Sequence, residues 1–230
     1  MAITVMSTIE TRRRGYRWAL SGALLLAAAC GGAAPAPSPT PPAMPAPEAA
    51  PAPGAEAAAP GALPEGALLV ADFNAAGNMN ALGGEFGAWA SAKPDPDAKS
   101  VDAVDPTAGA GGTGGWKIDY DISKDGSYCG TWLRLKDLDG TKYKTFRLSV
   151  KATASGPVDF IVELKTNGGQ NVGRYVVRGV GADWKVVEVP LTAFNLPSLK
   201  PMYEFTTVFD KQTTSVKTGS IVIDDIAFLP

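Results

Sequence analysis

The chain has 230 residues, with 21 basic and 23 acidic side chains for a net charge of −2, two cysteines and no histidine. The lack of histidine excludes Ser-His-Asp and Cys-His nucleophile chemistry and the usual zinc sites. The slightly acidic balance argues against nucleic acid or an anionic membrane face as the main partner, and the lack of histidine leaves only carboxylate-based catalysis, as in glycosidases, open as an enzymatic route.

The chain opens with Arg12, Arg13, Arg14 and Arg17, then an apolar stretch from Trp18 to Ala29 that is too short to span a bilayer, then Leu26-Ala27-Ala28-Ala29-Cys30. A small-residue run ending in Cys resembles the bacterial lipoprotein signal, in which the Cys is acylated and becomes the new N-terminus. That resemblance implies a signal peptide over 1–29, lipidation at Cys30 and export, with Thr11-Arg12-Arg13 leaving the twin-arginine and general routes both open. Gly31 stands where an Asp would resemble an inner-membrane retention signal, so the outer membrane is favoured. Cleavage before Cys30 removes four arginines and Glu10. Then 21 basic residues become 17 and 23 acidic ones 22, for a net charge of −5.

Residues 31–64 are almost entirely Ala, Pro and Gly and hold eleven of the nineteen prolines. Such a segment buries too little apolar surface to offset chain entropy and reads as a disordered or polyproline-like tether, expected over 30–65 and reaching on the order of 100 Å. With Cys30 acylated, Cys129 has no intramolecular partner and is expected as a small buried hydrophobe.

The folded part is expected over 66–230, as one domain. From Leu68 onward the pattern is strand-like. Thr131 to Lys136 alternates, with Leu133 and Leu135 inward and Trp132, Arg134 and Lys136 outward. Phe146, Leu148 and Val150 repeat at period two, as do Phe160, Val162 and Leu164. Arg174–Arg178, Trp184–Val189, Tyr203–Phe209 and Ser220–Leu229 read as further strands. Ser155-Gly156-Pro157, Asn167-Gly168-Gly169 and Lys217-Thr218-Gly219 read as turns. No stretch has a helical period. The Asp-, Pro- and Gly-rich segment from Lys93 to Gly115 reads as a long surface loop. The expected fold is all-β, an antiparallel sandwich or jelly roll.

If neighbouring strands pair, Trp132, Arg134, Arg147 and Glu163 share an exposed sheet face. Tyr128, Arg174, Tyr203 and Glu204 are further candidates for ligand contact, with Tyr175 left between that role and the core. Aromatic planes stack on the C–H face of a sugar, and the planar fork of Arg suits vicinal hydroxyls or carboxylates. The plainer alternative is a wet sheet face of cross-strand ion pairs. Trp89, Trp116 and Trp184 read as core or loop anchors. Asp95, Asp97, Asp102 and Asp105 fail the EF-hand rule, since Ser100 stands where Gly belongs and Pro106 where Glu belongs.

Leu69-Val70-Ala71-Asp72-Phe73, then Gly77 to Gly84 and Trp89, resemble the opening of bacterial carbohydrate-binding modules of the galactose-binding-like fold and of the related complex-I-intermediate-associated family. Tyr128-Cys129-Gly130, Tyr143 to Lys151, Trp184 to Phe194 and Gly219 to Phe228 continue the likeness across the domain. The resemblance implies a jelly roll that binds polysaccharide or oligosaccharide without cleaving it. The domain is expected to be a monomer that touches the membrane only through its N-terminal lipid. A structural or assembly protein holding a protein partner is the alternative, and a glycan-cleaving enzyme ranks last. The resemblance also implies one structural calcium where the first and last strands meet, with Asp72, Asn74 and Asp225 as ligands. Asn74-Ala75-Ala76 replaces the acidic cluster of the family there, and the alternative is that Asp72, Asp224 and Asp225 only cap strand ends.

Overall fold

The computed structural model describes residues 63–91 and 98–230. The leader, Cys30, the Ala/Pro-rich segment, Asp95 and Asp97 lie outside the described residues. Alternating β-branched and aromatic residues favour pleated, half-buried strands, and the described residues form eleven of them. These are β1 (Leu68–Ala71), β2 (Phe86–Ala90), β3 (Lys99–Asp105), β4 (Gly115–Asp121), β5 (Tyr128–Leu138), β6 (Thr145–Thr153), β7 (Val158–Thr166), β8 (Asn171–Val180), β9 (Lys185–Pro190), β10 (Met202–Asp210) and β11 (Thr218–Leu229). Among the described residues the remaining elements are short 3-10 turns, and no helix is long and apolar enough to cross a membrane.

The strands form two antiparallel sheets. One runs β3-β4-β11-β6-β9, with β1 paired to the C-terminal part of β11; the other runs β2-β5-β10-β7-β8. The chain passes between the sheets repeatedly, so strands adjacent in sequence are often on opposite layers. The expected β-sandwich is what forms.

The core fills the space between the layers. Leu133, Leu135, Phe160, Val162, Leu164, Phe205 and Phe209 point inward from the second sheet, and Trp116, Ile118, Phe146, Leu148 and Phe228 from the first. Phe146 stacks on Phe205 at 5.3 Å between ring centroids, Tyr120 on Phe209 at 4.1 Å, and Phe73, Phe86 and Trp116 form a third aromatic group. Strand periodicity then sends the intervening residues of β5, β10 and β7 to the outer face of the second sheet.

Two expectations are corrected. The segment from Lys93 to Gly115 is not one surface loop, because Lys99–Asp105 forms β3. This edge strand carries its hydrogen bonds on β4 and buries little, with Val101 exposed, so it has no apolar period to read. Arg147 does not share a face with Trp132. It sits on β6 in the opposite sheet, 1% exposed, with Nη1 3.7 Å from Glu188.

Candidate functional site

The outer face of the β2-β5-β10-β7-β8 sheet gathers the polar and aromatic side chains. Register places Trp132 beside Thr206, Thr206 beside Glu163, and Glu163 beside Arg174, so one row crosses four strands. The next row runs from Arg134 to Glu204 to Lys165. The β10 strand lies between β5 and β7, so Trp132 and Glu163 share the face without being direct neighbours.

Ion pairs hold the centre of this face. Glu204 takes Arg134 Nη1 at 2.6 Å and Lys165 Nζ at 2.8 Å, and accepts the Thr206 hydroxyl at 3.2 Å. Glu163 takes Arg174 Nε at 2.8 Å and Lys165 Nζ at 3.7 Å. The two carboxylates are only 6% and 7% exposed, whereas the Arg174 side chain is 68% exposed. The acids therefore anchor the cations from below, and the guanidinium of Arg174 is what solvent meets. The cross-strand ion pairs of the plainer expectation are present, and Arg174 keeps its outer N–H groups toward solvent.

Aromatic rings border the charged centre. The Arg134 guanidinium carbon lies 5.1 Å from the Trp132 ring and 4.5 Å from the Tyr203 ring, within cation–π range of both. Tyr128 is exposed and meets Trp89 edge-on at 5.8 Å. Trp89, expected as a core or loop anchor, is instead on this outer face and donates its indole N–H to the Thr131 carbonyl at 3.3 Å. A groove of about 490 Å³ runs here, lined by Trp89, Tyr128, Ile161, Glu163, Arg174 and Val208 among others. Lys211, which also lines the groove, pairs with the exposed Asp125 at 2.7 Å.

A groove with ring faces, an apolar floor and a few fixed polar groups suits a ligand that is apolar on its ring faces and hydroxylated at its edges. Residues 56–204 match the carbohydrate binding domain (family 11). The chain belongs to that family. Two solved structures of the family 11 carbohydrate-binding module from Clostridium thermocellum resemble this domain. One is from a cellulosomal cellulase and the other is in complex with a β-1,3-1,4-mixed-linked tetrasaccharide. Each has a TM-score of 0.54 and 19% identity and covers 71% of this chain, with 94% and 95% of the module covered. The agarase AgWH50C matches with a TM-score of 0.51 and 10% identity, over 72% of this chain and 24% of the agarase. At these identities the likeness establishes the fold. No curated protein matches the chain in sequence.

In this family 11 domain, Tyr128, Trp132, Arg134, Glu163, Arg174, Tyr203 and Glu204 are brought to one face, and Arg147 is not. Tyr175 is exposed at the β8 edge near Phe194, away from that face. Trp116 is core, its indole N–H donating to Asp102 at 2.9 Å, whereas Trp184 lies at the surface of the other sheet under Lys151. Trp89, Thr206 and Lys165 are members of the site that sequence reasoning missed. Only the strand register reveals them.

The proposed metal ligands lie in another corner. Asp72 accepts the Asn74 amide at 3.3 Å, Asn74 Oδ1 accepts the Gly114 amide at 2.9 Å, and Asp225 Oδ2 accepts the Ser149 hydroxyl at 3.4 Å. Gly114 has to be glycine here, since a Cβ would sit 2.0 Å from the Phe73 carbonyl oxygen. The neighbouring Asp224 is buried and accepts the amides of Ala110 and Asp225, both at 2.8 Å. Burial, with the like charges of Asp225 and Asp72 added, pushes its carboxyl up to about 6. Among the described residues no group of three or more Asp, Glu, His or Cys is gathered to hold a metal ion. Cys129 is buried as expected, and that burial pushes its thiol up to about 12.

Proposed function

We propose that the protein is a non-catalytic glycan-binding module that holds a polysaccharide chain on the outer face of the β2-β5-β10-β7-β8 sheet. The observation that carries this is the groove itself: Trp89 and Tyr128 offer ring surface beside an Arg174 that buried Glu163 holds in place. The family membership supports the same reading. A β-linked glucan is the proposed ligand class, because the related module was solved with a mixed-linked tetrasaccharide. Stacking on each indole contributes about 0.5–1.5 kcal/mol beyond area burial, and oriented Arg N–H groups supply direction.

Cleavage is not part of the proposal. The two carboxylates of this face, Glu163 and Glu204, are nearly covered, and Lys165 bridges them. Neither carboxylate is presented to a scissile bond in the way glycosidase chemistry needs. The proposal places the domain at the cell envelope as a monomer, tethered by acylated Cys30 through the Ala/Pro-rich segment. Metabolic labelling with palmitate tests the tether, and label that persists in Cys30→Ser rules it out.

Affinity electrophoresis through gels containing soluble β-glucans tests the function. Retarded migration is expected with β-glucan and not with a non-glycan polymer. Unretarded migration across plant and bacterial polysaccharides rules the function out.

A further inference from the structure

On β2 and β5 the residues Gly87, Trp89, Gly130 and Trp132 form a reciprocal pattern. Gly87 is the cross-strand partner of Trp132, and Trp89 is the partner of Gly130. A Cβ on Gly87 would lie 3.2 Å from Cζ2, 3.4 Å from Cε2 and 3.5 Å from Nε1 of Trp132. A Cβ on Gly130 would lie 3.0 Å from Cζ2 of Trp89. Each indole therefore lies down across the glycine of the opposite strand, in space that any other residue would fill. Both rings are half-buried for that reason, with their undersides on backbone.

Trp89 and Trp132 are diagonal cross-strand neighbours, a spacing of roughly 7–8 Å. Trp89 lines the groove and Trp132 lies beyond it, beside Arg134 and Tyr203. Tyr128 and Arg134, at the two ends of this stretch of β5, are six residues apart, about 20 Å along the strand and the length of roughly four pyranose rings.

We propose that Trp132, seated on Gly87, forms a second stacking subsite, and that Gly87 is a positioning residue for it. The bound glycan then runs along the β2-β5 pair, from the Trp89–Tyr128 groove to the Trp132–Arg134–Tyr203 group. This deepens the glycan-binding reading and rests on it. The site requires a ligand long enough to touch both indoles. At about 5 Å per ring by that measure, a disaccharide reaches both indoles only at its full length, and a tetrasaccharide spans the whole run from Tyr128 to Arg134. Gly87 carries an ordinary backbone conformation, so an alanine there fits the strand and acts on the ring above it. Gly130 offers no such clean change, because its Cβ would also strike the Thr207 carbonyl oxygen at 1.9 Å.

The test is calorimetric titration of the domain with mixed-linkage β-glucan oligosaccharides of two to six residues. Wild type, Trp132→Ala, Gly87→Ala and the double variant are compared, each checked for an intact thermal transition. Wild-type affinity is expected to climb to the tetrasaccharide and then level. Trp132→Ala is expected to weaken the tetrasaccharide about two- to tenfold and the disaccharide by less. Gly87→Ala is expected to weaken it in the same direction, with no further loss in the double variant, which a general structural effect would not give. A Trp132→Ala length series identical to wild type overturns the second subsite. A Gly87→Ala loss that persists without the indole overturns the positioning role. Wild type that binds no member of the series overturns the glycan reading itself, and this proposal with it.

Discussion

Replacing Glu204 by Gln removes one charge at the centre of the outer face while keeping its shape. In the native domain Glu204 is 7% exposed and holds Arg134 at 2.6 Å, Lys165 at 2.8 Å and the Thr206 hydroxyl at 3.2 Å. Hydrogen bonds to charged groups contribute about 1.5–3 kcal/mol each when well shielded. The Arg134 side chain is 36% exposed, so most of its share is screened by water, whereas Lys165 at 22% keeps more. A net loss of about 2 kcal/mol follows, and for a domain of this size it lowers Tm by roughly 4–8 °C. The same change frees Arg134 from its fixed place between Trp132 and Tyr203, so glycan affinity falls as well. Differential scanning calorimetry and titration with a tetrasaccharide read the two effects. Glu188→Gln, on the other sheet and paired to Arg147 at 3.7 Å, is the matched control, with little change in either. If Glu204→Gln melts and binds like wild type, the ion-pair line does not support the site.

Burial pushes the phenol of Tyr120 up to about 12 and the thiol of Cys129 up to about 12, so folding favours their protonated forms. Their contribution is complete below about pH 9 and is lost as pH rises toward 12, so Tm is expected to fall over that alkaline range. Tyr120→Phe should flatten the tyrosine share of that fall, at a cost of about 1 kcal/mol for the lost bond to the Val216 carbonyl; an unchanged slope contradicts the assignment. Arg147→Met should reduce stability while leaving the Kd of the folded fraction unchanged, since Arg147 is buried in the sheet opposite the groove; a weakened Kd at intact Tm refutes its exclusion from the site. Calcium held by Asp72, Asn74 and Asp225 would raise the Tm of chelator-treated protein, and a Tm that does not move removes calcium from the account.

The sandwich was legible where burial is one-sided. Leu133 and Leu135 alternate with Trp132 and Arg134 because one face of β5 is core and the other is water, and that difference is written directly into the residue types. β3 was illegible because an edge strand with Val101 exposed has no dry face to mark. β2 was missed because five residues with one glycine and two alanines show no alternation, although Trp89 on it belongs to the site. Arg147 shares its period with Leu148 as Arg134 does with Leu135, but periodicity tells inside from outside, not one sheet from the other. That assignment depends on which strands pair. The glycine seats were hidden for the same reason: Gly87 and Trp132 are far apart in sequence and become partners only through register.

Amide and indole chemical-shift mapping during titration with a mixed-linkage tetrasaccharide bears most directly on where the glycan lies. Shifts are expected at the indole N–H signals of Trp89 and Trp132 and along β5, β10 and β7, with Trp116 and Trp184 silent. Shifts confined to the β3-β4-β11-β6-β9 sheet, or none at saturating sugar, would contradict the placement of the site.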